Sequence, residues 1–167
     1  MKRGRLSADE RLAIGIPEDE RLIAWGEGEP DEAQTTLVAA TDQALYEQRS
    51  GTRIPWADVI KGTWEQPDLV VDFQGGAGVR RIRIRVGMPR DLPAAVRDRV
   101  TDTVVVSEYR ELGDDAGAHF VARRTPGGGL EEITWSVVFD SGLDSTDATL
   151  RSKADRILGE LRSSLGV

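Results

Sequence analysis

The 167-residue chain contains no cysteine, no asparagine and a single histidine, His119. Without cysteine there is no disulfide, no thiolate metal site and no cysteine nucleophile. One histidine excludes a multi-histidine zinc or iron site, and the missing asparagine excludes N-glycosylation. Lysine is scarce as well, with 3 against 19 arginines. That ratio, with abundant Ala, Gly, Val and Asp, has the look of coding bias in a high-GC bacterium, so the arginine excess by itself is weak evidence for arginine chemistry. No apolar run approaches the ~18–20 residues of a membrane-spanning helix. Met1-Lys2-Arg3-Gly4-Arg5 is basic like the start of a signal peptide, but Ser7-Ala8-Asp9-Glu10-Arg11 supplies no apolar continuation. A soluble, cytoplasmic protein is expected, and the lack of cysteine fits a reducing compartment.

What the chain does have is enough apolar mass for a core: 39% hydrophobic residues with a net charge of −7. A chain this size forms one domain or two small ones and buries about 70% of its unfolded surface. Acidity is concentrated between Glu18 and Glu32, where seven acids face Arg21 alone, while the rest holds 22 acids and 21 bases. Such a strip repels phosphate and anionic lipid, so no nucleic-acid partner is expected. It reads as a solvated loop, with an acidic docking surface as the functional alternative.

Local signals divide the chain. Ser7 and Glu10 form a capping box for a short helix to about Ile14, ended by Gly15 and Pro17. Strands are predicted over 21–27, 35–41, 44–47, 59–65, 68–73 and 79–86, with a turn from Gly26 to Asp31. Pro55 holds Ile54 extended. The clearest strand sets Val79, Ile82, Ile84 and Val86 against Arg81, Arg83 and Arg85, with Arg80 breaking the alternation at one end. Leu92, Val96 and Val100 recur at helical spacing to about Asp102. Strands over 103–112, 118–125 and 131–140 follow, joined by short hairpin-like connections. A last helix from about Ser145 to Leu165 carries Leu150, Ala154, Ile157, Leu158 and Leu161 on one stripe and stops at Gly166. The expected fold is α+β. It comprises a small antiparallel barrel or sandwich with a closing helix over 1–102, then a βββα extension over 103–167, the two forming separate or continuous domains.

Three segments resemble the bacterial pleckstrin-homology-like domain over about residues 18–102. They are Glu20-Arg21-Leu22-Ile23-Ala24-Trp25, Leu37-Val38-Ala39-Ala40-Thr41-Asp42-Gln43-Ala44-Leu45 and Ile54-Pro55-Trp56-Ala57-Asp58-Val59. The resemblance implies a small antiparallel barrel used as a binding scaffold. Gln43-Ala44 departs from the basic residues common in that family, and the segment after residue 102 lies outside it. The whole chain also resembles uncharacterised conserved proteins of high-GC bacteria. Eukaryotic relatives that bind phosphoinositides use basic residues near the first hairpin loop. Here that loop holds Glu27, Glu29, Asp31 and Glu32, so headgroup binding there is unfavourable.

No catalytic set stands out. His119 has no Gly-x-Ser-x-Gly elbow beside it and reads as a strand residue. Gly127-Gly128-Gly129 and Gly76-Ala77-Gly78 lack the residues of a phosphate loop and read as hairpin turns. Asp140, Asp144 and Asp147 lack calcium-loop spacing and fit capping of the last helix. Asp114-Asp115 alone cannot ligate calcium. The candidate binding residues are Arg81, Arg83 and Arg85 with Arg123 and Arg124, as a patch for a phosphate, a carboxylate or an acidic partner. The competing reading of the stripe is a solvated face paired with acids. Trp25, Trp56, Trp64 and Trp135 read as core anchors, with Trp56 the one chosen as a contact residue. The expectation is a non-enzymatic protein-interaction module, without cofactor or metal, whose partner is another protein. The alternative is a small-ligand protein, or an enzyme not recognised from sequence, with a pocket between barrel and extension.

Overall fold

A computed structural model describes residues 5–28, 36–76, 78–113, 115–127 and 132–166. The acidic loop from Glu29 to Glu32, Ala77, Asp114, the glycines at 128 and 129 and the start of the last strand at 131 lie outside the described residues. The chain divides into two compact units, one ending at Asp102 and one beginning at Thr103. Both are built from antiparallel sheet and helix.

The first unit opens with α1 (Ala8–Ile14). Ser7 caps it through a reciprocal capping box with Glu10, and Gly15 ends it in the left-handed conformation at φ 83°. Seven strands follow: β1 (Leu22–Gly28), β2 (Leu37–Thr41), β3 (Ala44–Glu47), β4 (Thr52–Pro55), β5 (Val59–Glu65), β6 (Asp68–Gly75) and β7 (Gly78–Met88). Helix α2 (Leu92–Thr103) closes the unit. The sheet order is β4-β3-β2-β1-β7-β6-β5.

Among the described residues no barrel closes, which corrects that part of the expected barrel or sandwich: β4 and β5 are the two edges and do not pair. β4 has four residues and ends in Pro55, which has no N–H to offer a neighbouring strand. A single 3₁₀ turn, Trp56–Asp58, links the two edges. Pro55 and Val59 are thus within about 14 Å of each other. The sheet must curl until its edges converge at that corner.

The main core fills this curl. It joins Val38, Leu45, Ile54, Trp56, Val59, Leu69, Val71, Ile84 and Val86 with Leu92, Ala95 and Val96 of α2. On the opposite face of β1–β3 a smaller cluster forms from Leu6, Ile14, Ile16, Leu37, Ala39, Ala44 and Tyr46, with Leu22 and Trp25 packed against it. A bulge between Leu22 and Ala24 turns Leu22 and Trp25, three residues apart, to that same cluster.

The strand expected over 21–27 forms and runs one residue further, so Gly26 is strand rather than the first residue of the expected turn, whose part beyond Gly28 lies outside the described residues. β1 runs through Gly28 because it must reach β7, with which, among the described residues, it pairs at Glu27↔Met88 and Gly28↔Val86. A Cβ on Gly26 would lie 3.0 Å from the Met88 carbonyl oxygen and the Val86 side chain, and 3.3 Å from Leu92.

The second unit is a three-stranded sheet, order β10-β9-β8, with β8 (Val104–Gly113), β9 (Ala116–Arg124) and β10 (Ile133–Phe139). Helix α3 (Ala148–Leu165) is capped by Asp147, which accepts from the backbones of Thr149 and Leu150, and it stops at Gly166. Ala154 and Leu161 of α3 pack with Leu112, Ala118 and Phe120 of the sheet.

Two glycines should respond oppositely to alanine. Gly26→Ala crowds the β1–β7 junction and should destabilise by about 1–3 kcal/mol. Gly159, inside α3, has no atom within 4 Å of a Cβ, so Gly159→Ala should stabilise by about 0.5–1 kcal/mol. Chemical denaturation of the two variants measures both signs.

Candidate functional site

The arginine stripe lies on the outer face of β7 and is fully partnered. In register, Arg81 faces Asp72, Arg83 faces Val70 and Arg85 faces Asp68. Arg81 grips Asp72 with two bonds, at 2.6 and 2.9 Å. Arg83 bridges Asp68 at 3.0 Å and Glu65 at 2.8 Å, and Arg85 donates to Asp68 at 3.1 Å. Donation from Arg83 and Arg85 holds the Asp68 carboxyl below its usual range, and Arg81 does the same to Asp72. Three guanidiniums meet three carboxylates, so this face is a balanced ladder rather than a bare cationic patch.

The other sequence candidates lie on other elements. Arg123 and Arg124 belong to the second unit, on β9. Arg124 is exposed. Arg123 is not available at a surface, contrary to its place in the expected patch: it is 3% exposed, and its guanidinium donates to Thr103 at 2.9 Å. Desolvation pushes its pKa down to about 10, which leaves it charged at neutral pH. Trp56 is corrected too. It is fully buried, and its indole N–H donates to the Thr41 carbonyl at 2.9 Å. An indole whose polar atom is satisfied inside the core anchors the fold and touches no partner.

A different tryptophan is half-open. Trp25, on β1, carries Arg90 stacked on its ring at 3.9 Å. The same guanidinium donates to Glu27, two residues along β1, at 3.3 Å. Arg90 sits in the turn between β7 and α2 with φ 48°, a left-handed backbone that a side chain with Cβ disfavours. Met88, beside it and opposite Glu27 in register, is 52% exposed. Aromatic, methionine and arginine side chains together at an open surface are the composition of a contact patch. Sequence reasoning chose Trp56 over Trp25 because Pro55 marks the former. Nothing local in the sequence brings Arg90 across 65 residues to Trp25.

A concave site of about 580 Å³ lies on the N-terminal part of the first unit, lined by Arg5, Leu6, Arg11 and the run Glu18–Leu22. Arg11 forms its brace, donating to the carbonyls of Pro17 and Glu20. Beneath it the Glu20 carboxylate is buried and accepts from the Thr41 hydroxyl at 2.6 Å, the Tyr46 hydroxyl at 2.9 Å and the Arg53 guanidinium at 2.9 Å. Burial alone pushes the Glu20 carboxyl up. The three donors and the Arg53 charge outweigh it and hold the group below its usual range.

In the second unit, His119 is exposed on β9, its ring 5.1 Å from that of Tyr109. The Tyr109 hydroxyl donates to Asp140 at 2.8 Å. That contact and the nearby acids raise its pKa, so the hydroxyl stays protonated. Asp147 caps α3, and Asp144 accepts from the backbone and hydroxyl of Thr146. Among the described residues no group of three His, Cys, Asp or Glu side chains is placed to hold a metal.

Glu20 gives a signed pH dependence. A depressed folded pKa stabilises above the unfolded value of ~4.3 and loses that contribution as pH falls through the folded value. Glu20→Gln should cost about 1–3 kcal/mol at pH 7. It should also lose less stability than wild type between about pH 5 and pH 3. Urea unfolding at several pH values reads both effects. Comparison with family models, with curated proteins and with solved structures finds no match.

Proposed function

We infer that the protein is a non-enzymatic interaction module that binds another protein in the cytoplasm, and that its first unit is a pleckstrin-homology-like scaffold. The antiparallel seven-stranded sheet and the helix α2 that follows it support the scaffold reading. Among the described residues no helix is long and apolar enough to cross a membrane. The observation that carries the functional reading is the patch of Trp25, Met88 and Arg90, where a left-handed arginine is held on a half-open indole beside an exposed methionine. Strained backbone maintained by surrounding contacts is a feature of binding sites. The stack presents a rigid flat surface that loses little side-chain entropy on binding.

The test is affinity capture from native lysate after nuclease treatment, comparing wild type with Met88→Glu. A stoichiometric protein held by wild type and weakened roughly tenfold or more in the variant supports the reading, since a central contact is worth about 2 kcal/mol or more. Equal retention by both removes the patch, and no retained protein removes the module.

A small-ligand reading has one observation in its favour, the cavity over Glu20. Its lining mixes Arg5, Arg11 and Arg21 with Glu18, Asp19 and Glu20, which suits a small ligand bearing both charges. Mass spectrometry of material released on denaturing the purified protein should then detect a stoichiometric small molecule, lost in Arg21→Glu. A protein that releases nothing sinks this reading.

A further inference from the structure

We propose that two copies of the chain associate through β8, pairing antiparallel about a two-fold axis at Tyr109. The inference concerns the second unit and is independent of the function proposed for the first. β8 is an edge of its sheet, and among the described residues its backbone bonds only to β9. Its outer row of N–H and C=O groups is a template for another strand. Tyr109, Arg110 and Glu111 are consecutive and all exposed, although neighbours in a strand point to opposite faces. The edge is therefore open on both sides.

Two further features keep it open. Register shifts fall only near its ends, between Val104 and Val106 and between Glu111 and Gly113, so Val106 to Glu111 is regular. Such a length is typical of a paired strand. The Tyr109 side chain folds back over β9 rather than shielding the edge. A Cβ on Gly117 would lie 2.0 Å from the Tyr109 hydroxyl, which reaches on to Asp140. Of the six large apolar side chains exposed in the described residues, β8 contributes Val104 and Tyr109.

Charge selects the partner and the register. With the axis at Tyr109, Glu108 of each copy faces Arg110 of the other, so the favourable pair occurs twice. Ser107 faces Glu111, and Val106 faces Leu112. With the axis at Glu108 or Arg110, identical charges stand directly opposite, which destabilises a strand pair. With the axis at Ser107, Arg110 faces Val104 and the charges gain nothing. Within one chain Glu108 and Arg110 already meet at 2.5 Å. Both therefore lie on one face of the strand, and pairing would join two such pairs into a ring of four charges. The self-complementary order Glu108-Tyr109-Arg110 is what points to a second copy rather than to an unrelated strand.

Light scattering and sedimentation equilibrium of the full chain, from about 1 μM to about 1 mM, test this over the range of weak to moderate association. Wild type should form a dimer within that range. E108R and R110E should each weaken it roughly tenfold or more, since each creates two like-charge pairs. Mixed together, the two single variants should form a heterodimer, one chain presenting two arginines and the other two glutamates. The double variant E108R/R110E should recover the homodimer. Circular dichroism establishes that each variant is folded. Wild type that stays monomeric throughout overturns the proposal. A dimer indifferent to the single reversals, or not restored by mixing, also overturns it.

Discussion

The first unit depends on the close approach of β1 to β7. Four strands lie on one side of that junction and three on the other, and among the described residues two residue pairs join them. Gly26 permits it, because a side chain there would press on the Met88 carbonyl and on Val86 and Leu92. Once the junction forms, the sheet is continuous and can curl around Trp56. The same junction places Met88 and Arg90 beside Trp25 and Glu27, so this cluster of side chains follows from the backbone constraint.

The interior is organised by satisfied polar atoms as much as by apolar area. Thr41 shows this best. Its carbonyl accepts from Trp56, and its hydroxyl donates to Glu20 while accepting from the backbones of Gln43 and Ala44. One residue thereby ties the largest core side chain, the β2–β3 turn and a buried carboxylate. A buried carboxylate is costly unless fully bonded. Glu20 meets that condition with three donors, two of them side chains of β3 and β4. The acidic run that contains Glu20 is therefore not uniformly a solvated loop: Glu18 and Asp19 are exposed, whereas Glu20 is part of the fold.

Charge is handled differently on the outer surfaces. On β5–β7 every arginine of the stripe has a carboxylate on a neighbouring strand, and the result is a neutral ladder. On β8, Glu108 and Arg110 find each other along one strand, and among the described residues the edge itself has no strand partner. A ladder closed within the sheet leaves little for a partner to exploit. A charge pair at an open edge can be matched by a strand of complementary order.

The sequence alone determined the local elements, because their causes are local. The capping box at Ser7, the left-handed stops at Gly15 and Gly166, the alternation of β7 and the stripe of α3 each act within a few residues, and each appears in the structure. The α+β class follows from them. Tertiary structure decided whatever required residues far apart to meet. It opened the expected barrel, because Pro55 ends a four-residue edge strand. It carried β1 one residue past its expected end, to Gly28, where it pairs with β7. It buried Trp56, a core anchor by its strand context that only the neighbouring proline had singled out as a contact, and Arg123, which had been placed in the arginine patch, and it set carboxylates from β5 and β6 against the arginines. It also brought Arg90 onto Trp25. Burial and charge pairing depend on which strands are neighbours in space, and a 2-residue or 3.6-residue period carries no information about that.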